Sequence, residues 1–320
     1  MLLSLLFVGG KAWPATPRAF MLGGSLTPSM ICLPVRRSHL VAAVSLWLAA
    51  PVFGAAGSNA PACPLGAGWK FVPEFSDEFD RAPLDAAKWW DFNPAWHGRK
   101  PAYFDRANVQ VANGTLQLTA RAQDPAAVTV ENRVRGHDLF TTALVKSKQR
   151  IRYGYFEARC RSMRANVCNA FWLYDPLDAP AKYREGDFSE EIDIFEVFGK
   201  SARPDISRVF FATVHRHHTP YVESLVNTKK TVLPTYSAKI PMPFDFSADF
   251  HVYALLWTAT ELKWFVDGKE VFARPNDHFH RPLHVVLDAE IMKTWAGLPD
   301  AADLPATFFT DYVRVWQAAP

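Results

Sequence analysis

Two dipeptides constrain this chain more than any other feature: Asn113-Gly114 and Asp267-Gly268 each sit between segments in which apolar and polar residues alternate. Val109 and Val111 precede the first, and Leu116 and Leu118 follow it. Leu262, Trp264 and Val266 precede the second, and Val271 follows. Alternation with period two marks a half-buried strand, and these dipeptides supply the two positive φ angles of a tight hairpin turn. Further strand-like runs cover Tyr153–Arg161, Ala170–Tyr174, Arg208–His215, His251–Trp257, Leu283–Leu287 and Asp311–Gln317. Helical periodicity is scarce, and the 24 prolines fit long surface loops. Many short strands separated by turns predict an antiparallel sandwich or barrel. There is no internal repeat and no low-complexity linker, so one domain from about 64 to 318 is the simplest division.

The chain has ample material for a core, with 49% hydrophobic and 14% aromatic residues. That composition excludes a disordered chain, a collagen and a small disulfide scaffold. The formal charge of +3 misleads, because Lys11, Arg18, Arg36 and Arg37 are the charged residues of 1–56. Residues 57–320 then hold 31 basic and 32 acidic side chains, so a polyanion-binding surface is not indicated and nucleic acid is not an expected partner. From Arg36 a basic cluster precedes an uncharged stretch, Leu40 to Gly54, and then Ala55 and Ala56. This is the order of a secretory signal peptide, about 15 apolar residues long and short of the roughly 20 that span a bilayer. Residues 1–56 are therefore read as a leader, with Met21 or Met30 as alternative starts and an uncleaved anchor as the competing reading. A secreted or periplasmic monomer, with no stable membrane insertion after cleavage, is expected. Cys63, Cys160 and Cys168 remain after the leader. Cys160 and Cys168 would bridge if they faced each other across a hairpin, and no spacing suits a zinc site.

The segment Ser189–Gly199 carries the chemistry. Ile192 and Ile194 alternate with Glu191 and Asp193, so the two acids share one face of a strand. Strict alternation would put Phe195 on that face rather than Glu196. A one-residue bulge between Asp193 and Glu196 aims all three acids the same way. A helix would scatter them, at about 100° per residue, and give the apolar residues no coherent face. On a bulged strand the α-carbons of Glu191 and Glu196 lie roughly 13 Å apart. Side chains leaning inward would bring the carboxyl groups to about 5–6 Å, which suits a retaining glycosidase, whereas an inverting pair needs about 6.5–9.5 Å. Asp193 between them would raise the proton affinity of a neighbour, as a general acid requires. A solvated acidic edge strand without chemistry is the alternative that spacing alone leaves open.

Glu191-Ile-Asp-Ile-Phe-Glu196 resembles the E-x-D-x-x-E signature of glycoside hydrolase family 16. The resemblance continues through Phe75-Ser-Asp-Glu-Phe-Asp80, Leu84-Asp85-x-x-Lys88-Trp89 and Asn108-Val-Gln-Val-x-x-Gly114-x-Leu116. It runs on through Tyr153-Gly-Tyr-Phe-Glu-Ala-Arg159, Ala170-Phe-Trp-Leu173, Asp249-Phe-His-Val-Tyr253, Trp257, Val266-Asp-Gly-Lys269 and Asp311-Tyr-Val-Arg-Val315. It implies a β-jelly-roll, two curved antiparallel sheets with a substrate cleft on the concave face. It also implies Glu191 as nucleophile, Asp193 as assisting acid and Glu196 as acid/base. The bulged spacing is similar to that of members acting on 1,3-β-glucan and on marine galactans, and the unbulged form of lichenases is absent.

The same resemblance nominates substrate contacts. Trp172 matches a tryptophan beside the acids, Trp295 lies in a segment resembling a cleft-lining loop, and His215 matches a histidine near the cleft. Trp96 and Arg99 belong to a loop similar to segments of the agarase and porphyranase branches, and Arg99 would pair with a sulfate through its planar fork. Arg133 is a second candidate. Core tryptophans, a structural histidine and solvated arginines are the bland alternatives. The reading placed first is a secreted retaining endo-hydrolase of an agar- or porphyran-type galactan, ahead of an endo-1,3-β-glucanase of laminarinase type. A non-catalytic polysaccharide-binding jelly roll stands third, because such members lose a catalytic glutamate and this chain has all three acids. No organic cofactor is expected, since two carboxylates and water complete the reaction. The resemblance further implies a structural calcium near Asp311.

Overall fold

A computed structural model describes residues 60–175, 188–218 and 236–319, within the compact unit that runs from Gly57 to Pro320. The leader expectation for 1–56 falls outside the described residues. The first half of the domain supplies β1 (Trp69–Phe71), β2 (Trp89–Trp90), β3 (Ala102–Phe104), β4 (Val109–Ala112), β5 (Thr115–Ala122), β6 (Phe140–Ser147), β7 (Gly154–Arg161) and β8 (Cys168–Tyr174). The second half supplies β9 (Phe188–Phe198), β10 (Val209–His218), β11 (Tyr236–Pro241), β12 (His251–Trp257), β13 (Glu261–Val266), β14 (Lys269–Pro275), β15 (His284–Glu290) and β16 (Ala306–Ala318). The α-helix among the described residues is α1 (Val130–Arg135), capped by Thr129 and closed by Gly136 in the left-handed region.

Both expected hairpins form. Ala112 pairs with Thr115 and Val266 with Lys269, leaving Asn113 and Gly114 (φ 53° and 71°) and Asp267 and Gly268 (φ 48° and 75°) as two-residue turns. These positive φ values twist the turn in the sense of the strands it joins. One sheet runs β14-β13-β12-β7-β16-β5, with β4 on β5 and β1 on β16. The other runs β11-β10-β9-β8-β15-β6, with β2 on β6, and the two are joined where β5 pairs β6. The jelly-roll expectation is met. Between the sheets lies the apolar core, which includes Phe156, Phe171, Phe195, Phe210, Trp257 and Trp264.

The strand that positions the site is β9. Asp193 pairs with Trp172 on β8 and Thr213 on β10, while Glu196 pairs with Ala170 and Phe211, so β9 uses one residue more than either neighbour. The extra residue is Ile194, and the expected bulge is present. Ile192, Ile194, Phe195 and Val197 all enter the core, fully buried. Without the bulge, Phe195 would leave the core, losing about 2–3 kcal/mol of burial. Glu196 would enter it as an uncompensated acid, at a cost of several kcal/mol. A bulge disrupts the ladder locally. Here the Asp193 carbonyl accepts a hydrogen bond from the Trp264 indole Nε1, 2.9 Å away on the opposite sheet. Sequence alternation puts Trp264 on the core side of β13, and Leu262 and Val266 flank it there.

The condition for a Cys160–Cys168 bridge is not met. Cys63, Cys160 and Cys168 are free thiols. Cys160 on β7 lies in the core between the sheets, whereas Cys168 on β8 packs with Phe198 and Phe211 on the other face of its sheet. The two cysteines belong to different sheets, so no hairpin opposes them.

Replacing Trp264 with Phe keeps the aromatic body but removes the donor to Asp193. A buried carbonyl left unpaired costs about 1–3 kcal/mol. Urea denaturation of Trp264→Phe should show a loss in that range, and a loss under about 0.5 kcal/mol would mean that the indole does not hold the bulge.

Candidate active site

The face of the β11-to-β6 sheet turned away from the core collects the polar residues of each strand. Strand pairing lays them out in rows. Glu191 stands between Tyr174 and His215, Asp193 between Trp172 and Thr213, and Glu196 between Ala170 and Phe211. The three expected acids therefore share one face. Asp193 is 3% exposed, and Glu191 and Glu196 are half-buried.

His215 lies between two of the acids. Its Nε2 is 3.3 Å from Asp193 Oδ2 and 3.6 Å from Glu191 Oε1. Burial disfavours the imidazolium, yet the bond to Asp193 and the charges of Glu191, Asp193 and Glu196 outweigh it and push the His215 pKa up to about 9. At neutral pH the histidine is a cation. Glu196 is in the opposite situation. Burial first, then the charges of Asp193, Glu191 and Glu290, hold its carboxyl well above the usual range, against the pull of His215. Thr213 Oγ1 donates to Glu196 Oε2 at 3.4 Å, and Cys168 Sγ lies 3.9 Å from Oε1. One glutamate beside a cation and another holding its proton is the division of labour that acid–base chemistry at neutral pH needs.

Around the acids are the nominated aromatics. Trp172 packs with Ala170, Val286, Leu144 and Phe104 on this face, 5.3 Å from the Tyr174 ring, and its buried Nε1 has no partner among the described residues. Trp96 joins the same cluster, edge-on to Phe104 at 5.1 Å. Trp295 flanks the Glu196 end, with its ring 4.8 Å from Phe211 and 5.1 Å from Phe198. Arg99 reaches the face from the loop before β3, but its Nε lies 2.5 Å from Glu290 Oε2 and its guanidinium 5.7 Å from the Trp96 ring. Arg133 is elsewhere in the pattern. It sits exposed on α1 and donates to the Pro125 carbonyl at 3.0 Å, with no described contact to the acids. Sequence reasoning missed Tyr174, Asp288 and Glu290. Asp288 and Glu290 alternate with Leu287 and Ala289 as Glu191 and Asp193 do with Ile192, and extending the Leu283–Leu287 run by three residues would have exposed them.

Comparison with known proteins fits this arrangement. The family model described as beta-porphyranase A-D, GH16 domain, matches residues 69–318. The chain belongs to glycoside hydrolase family 16. Beta-porphyranase E of Zobellia galactanivorans is 29% identical over 272 residues, which cover 80% of this chain and 91% of that one. A beta-glucanase of Rhodothermus marinus is also 29% identical, over 271 residues covering 78% and 85%. The crystal structure of porphyranase B from Zobellia galactanivorans superposes with a TM-score of 0.63 at 22% identity, covering 78% of this chain and 92% of that one, and so shares the fold.

In this family 16 hydrolase, Glu191, Asp193 and His215 place one ligand atom each within 4.8 Å of one another. The imidazolium already supplies the positive charge that a metal ion would bring there. A calcium at Asp311 gains no support from its surroundings. The Asp311 carboxylate is held by Arg159 at 2.8 Å, a fixed cation where a metal would need further oxygen donors.

A raised histidine pKa stabilises the fold while the imidazole is protonated. The contribution of His215 is full below its ordinary value of 6.5 and is lost as pH rises through about 9. The melting-temperature gap between wild type and His215→Gln should therefore be widest near pH 6 and narrow by about pH 9.5. A gap that widens over that range would contradict a charged His215.

Proposed function

We propose that this family 16 glycoside hydrolase is a retaining endo-hydrolase of a β-linked galactan of the agar or porphyran type. Glu191 attacks the anomeric carbon, and Glu196 passes its proton to the leaving glycosidic oxygen. Water then enters with Glu196 as base and frees Glu191 from the glycosyl-enzyme ester. Asp193 holds His215 as an ion pair at 3.3 Å, and burial together with the Asp193 charge keeps the proton on Glu196 in the resting state. The observation that carries this reading is the Ile194 bulge, which turns Glu191, Asp193 and Glu196 to one face and leaves Glu196 protonated among like charges. The porphyranase family model supports the galactan, and the half-buried Trp96 and Trp295 offer ring faces on this side of the sheet. The protein is exported, residues 1–56 being the leader and 64–318 the catalytic domain.

A second reading, an endo-1,3-β-glucanase, draws on one feature. Arg99 is engaged by Glu290, so the arginine nominated for a sulfate already has an anion. A neutral glucan asks nothing of that guanidinium.

Reducing ends released from porphyran, agarose and laminarin separate the two. Porphyran or agarose should be cut in preference, and cleavage of laminarin alone would replace the galactan reading with the glucan one. Glu191→Ala should lower turnover by on the order of 10³ or more while still binding oligosaccharide. Turnover within tenfold of wild type in that variant would remove Glu191 as nucleophile.

A further inference from the structure

The face that carries Glu196 holds a second pair of acids that this reaction leaves unused. Along β15, Val285, Leu287 and Ala289 enter the core, while Val286, Asp288 and Glu290 take the other face. Ala170 on β8 pairs with Glu196 on one side and Asp288 on the other, so a single methyl group stands between the two acids. In the next row Cys168 pairs with Phe198 and Glu290, and its Sγ faces Glu196 Oε1 at 3.9 Å.

Asp288 is 1% exposed and Glu290 5%. No N–H or O–H of the described residues reaches Asp288 Oδ2, and Glu290 stands two residues along on the same face of β15. Two neighbouring buried carboxylates cannot both easily stay ionised. Burial, then Glu290, keeps Asp288 well above the usual carboxylate range. The remaining negative charge meets Arg99, whose Nε lies 2.5 Å from Glu290 Oε2.

We propose that Arg99, Asp288 and Glu290 form a positioning unit for Glu196: two buried acids side by side on β15, closed by a guanidinium. The inference rests on Glu196 as the acid/base only for its use in turnover. As built, the unit is electrically neutral. Removing the guanidinium leaves a negative charge two strands from Glu196, and removing both acids leaves a positive one. Either acid alone suffices, because the survivor ionises against Arg99. The other groups facing Glu196 are Asp193 and Glu191 on its own strand, His215 and Thr213 on β10, and Cys168 on β8, with Lys239 on β11 beyond Phe211. None of these changes in the variants below.

The test is the titration of the Glu196 carboxyl by ¹³C NMR, with the signal assigned by its loss in Glu196→Gln. Arg99→Gln should raise the midpoint by about one pH unit, and Asp288→Asn combined with Glu290→Gln should lower it by about as much. Asp288→Asn alone, and Arg99→Lys, should each stay within about half a unit of wild type. Shifts of the same sign in the two opposed variants, or no shift in Arg99→Gln, would overturn the unit. A merely structural role predicts no such reversal of sign. If circular dichroism shows that the double variant does not fold, Arg99→Gln decides alone, since Arg99 lies on an exposed loop. The measurement needs no substrate. Shifts as expected in a protein that cuts no glycan would remove the proposed function and leave the unit standing. Normal turnover without shifts would do the reverse.

Discussion

The site depends on one hydrogen bond across the sandwich. Ile194 and Phe195 are adjacent in sequence, and the core buries both. A regular strand cannot do that, because successive side chains point to opposite faces. The bulge resolves the conflict at the expense of ladder bonding, and the Trp264 indole caps the Asp193 carbonyl from the facing sheet. Packing therefore sets the direction of the acids. Glu196 is on the chemical face because Phe195 is in the core.

Once the acids share a face, electrostatics decides which of them keep protons. Glu191, Asp193 and Glu196 on β9 and Asp288 and Glu290 on β15 lie on two strands of one sheet, beside the cations His215 and Arg99. Full ionisation would leave a large unbalanced charge in a partly desolvated patch, which is unfavourable at the effective dielectric of a protein. The patch relaxes by holding protons on Glu196 and Asp288 and by keeping His215 charged to about pH 9. A general acid at neutral pH thus follows from burying acids and crowding like charges on a sheet, with no special group required.

Local features of the sequence were legible because their causes are local. Asn113-Gly114 and Asp267-Gly268 adopt the positive φ values that their side chains tolerate, and both hairpins form at those residues. The spacing of Glu191, Asp193 and Glu196 around two adjacent apolar residues required the bulge, and the strand has it. What escaped reading is non-local. β15 pairs with β8, more than a hundred residues earlier, and only that pairing sets Asp288 beside Ala170 and Glu196. Arg99 meets Glu290 across 191 positions, so its loop gave no sign that the guanidinium already had an acid. Whether Cys160 and Cys168 face each other was open for the same reason, since the few residues between them carry the chain from one sheet to the other.

Chemistry and recognition are supported by different parts of this fold. The acids stand on strands whose opposite sides are locked in the core, so moving one of them means repacking Ile192, Phe195 or Leu287. Trp96 and Arg99 come from the segment before β3, which contacts the acid face from outside, through Phe104 and Glu290. Under the proposed function, changes there would alter what is recognised without disturbing the bulge. That separation is consistent with a chain equally identical, at 29%, to a beta-porphyranase and a beta-glucanase. Overall identity weighs the sheets, which both relatives need, far more than the few loop residues that meet a sugar. Under the proposed function and the positioning unit inferred for Glu196, substrate choice in this hydrolase is to be sought in how the Trp96–Arg99 loop sits on Glu290.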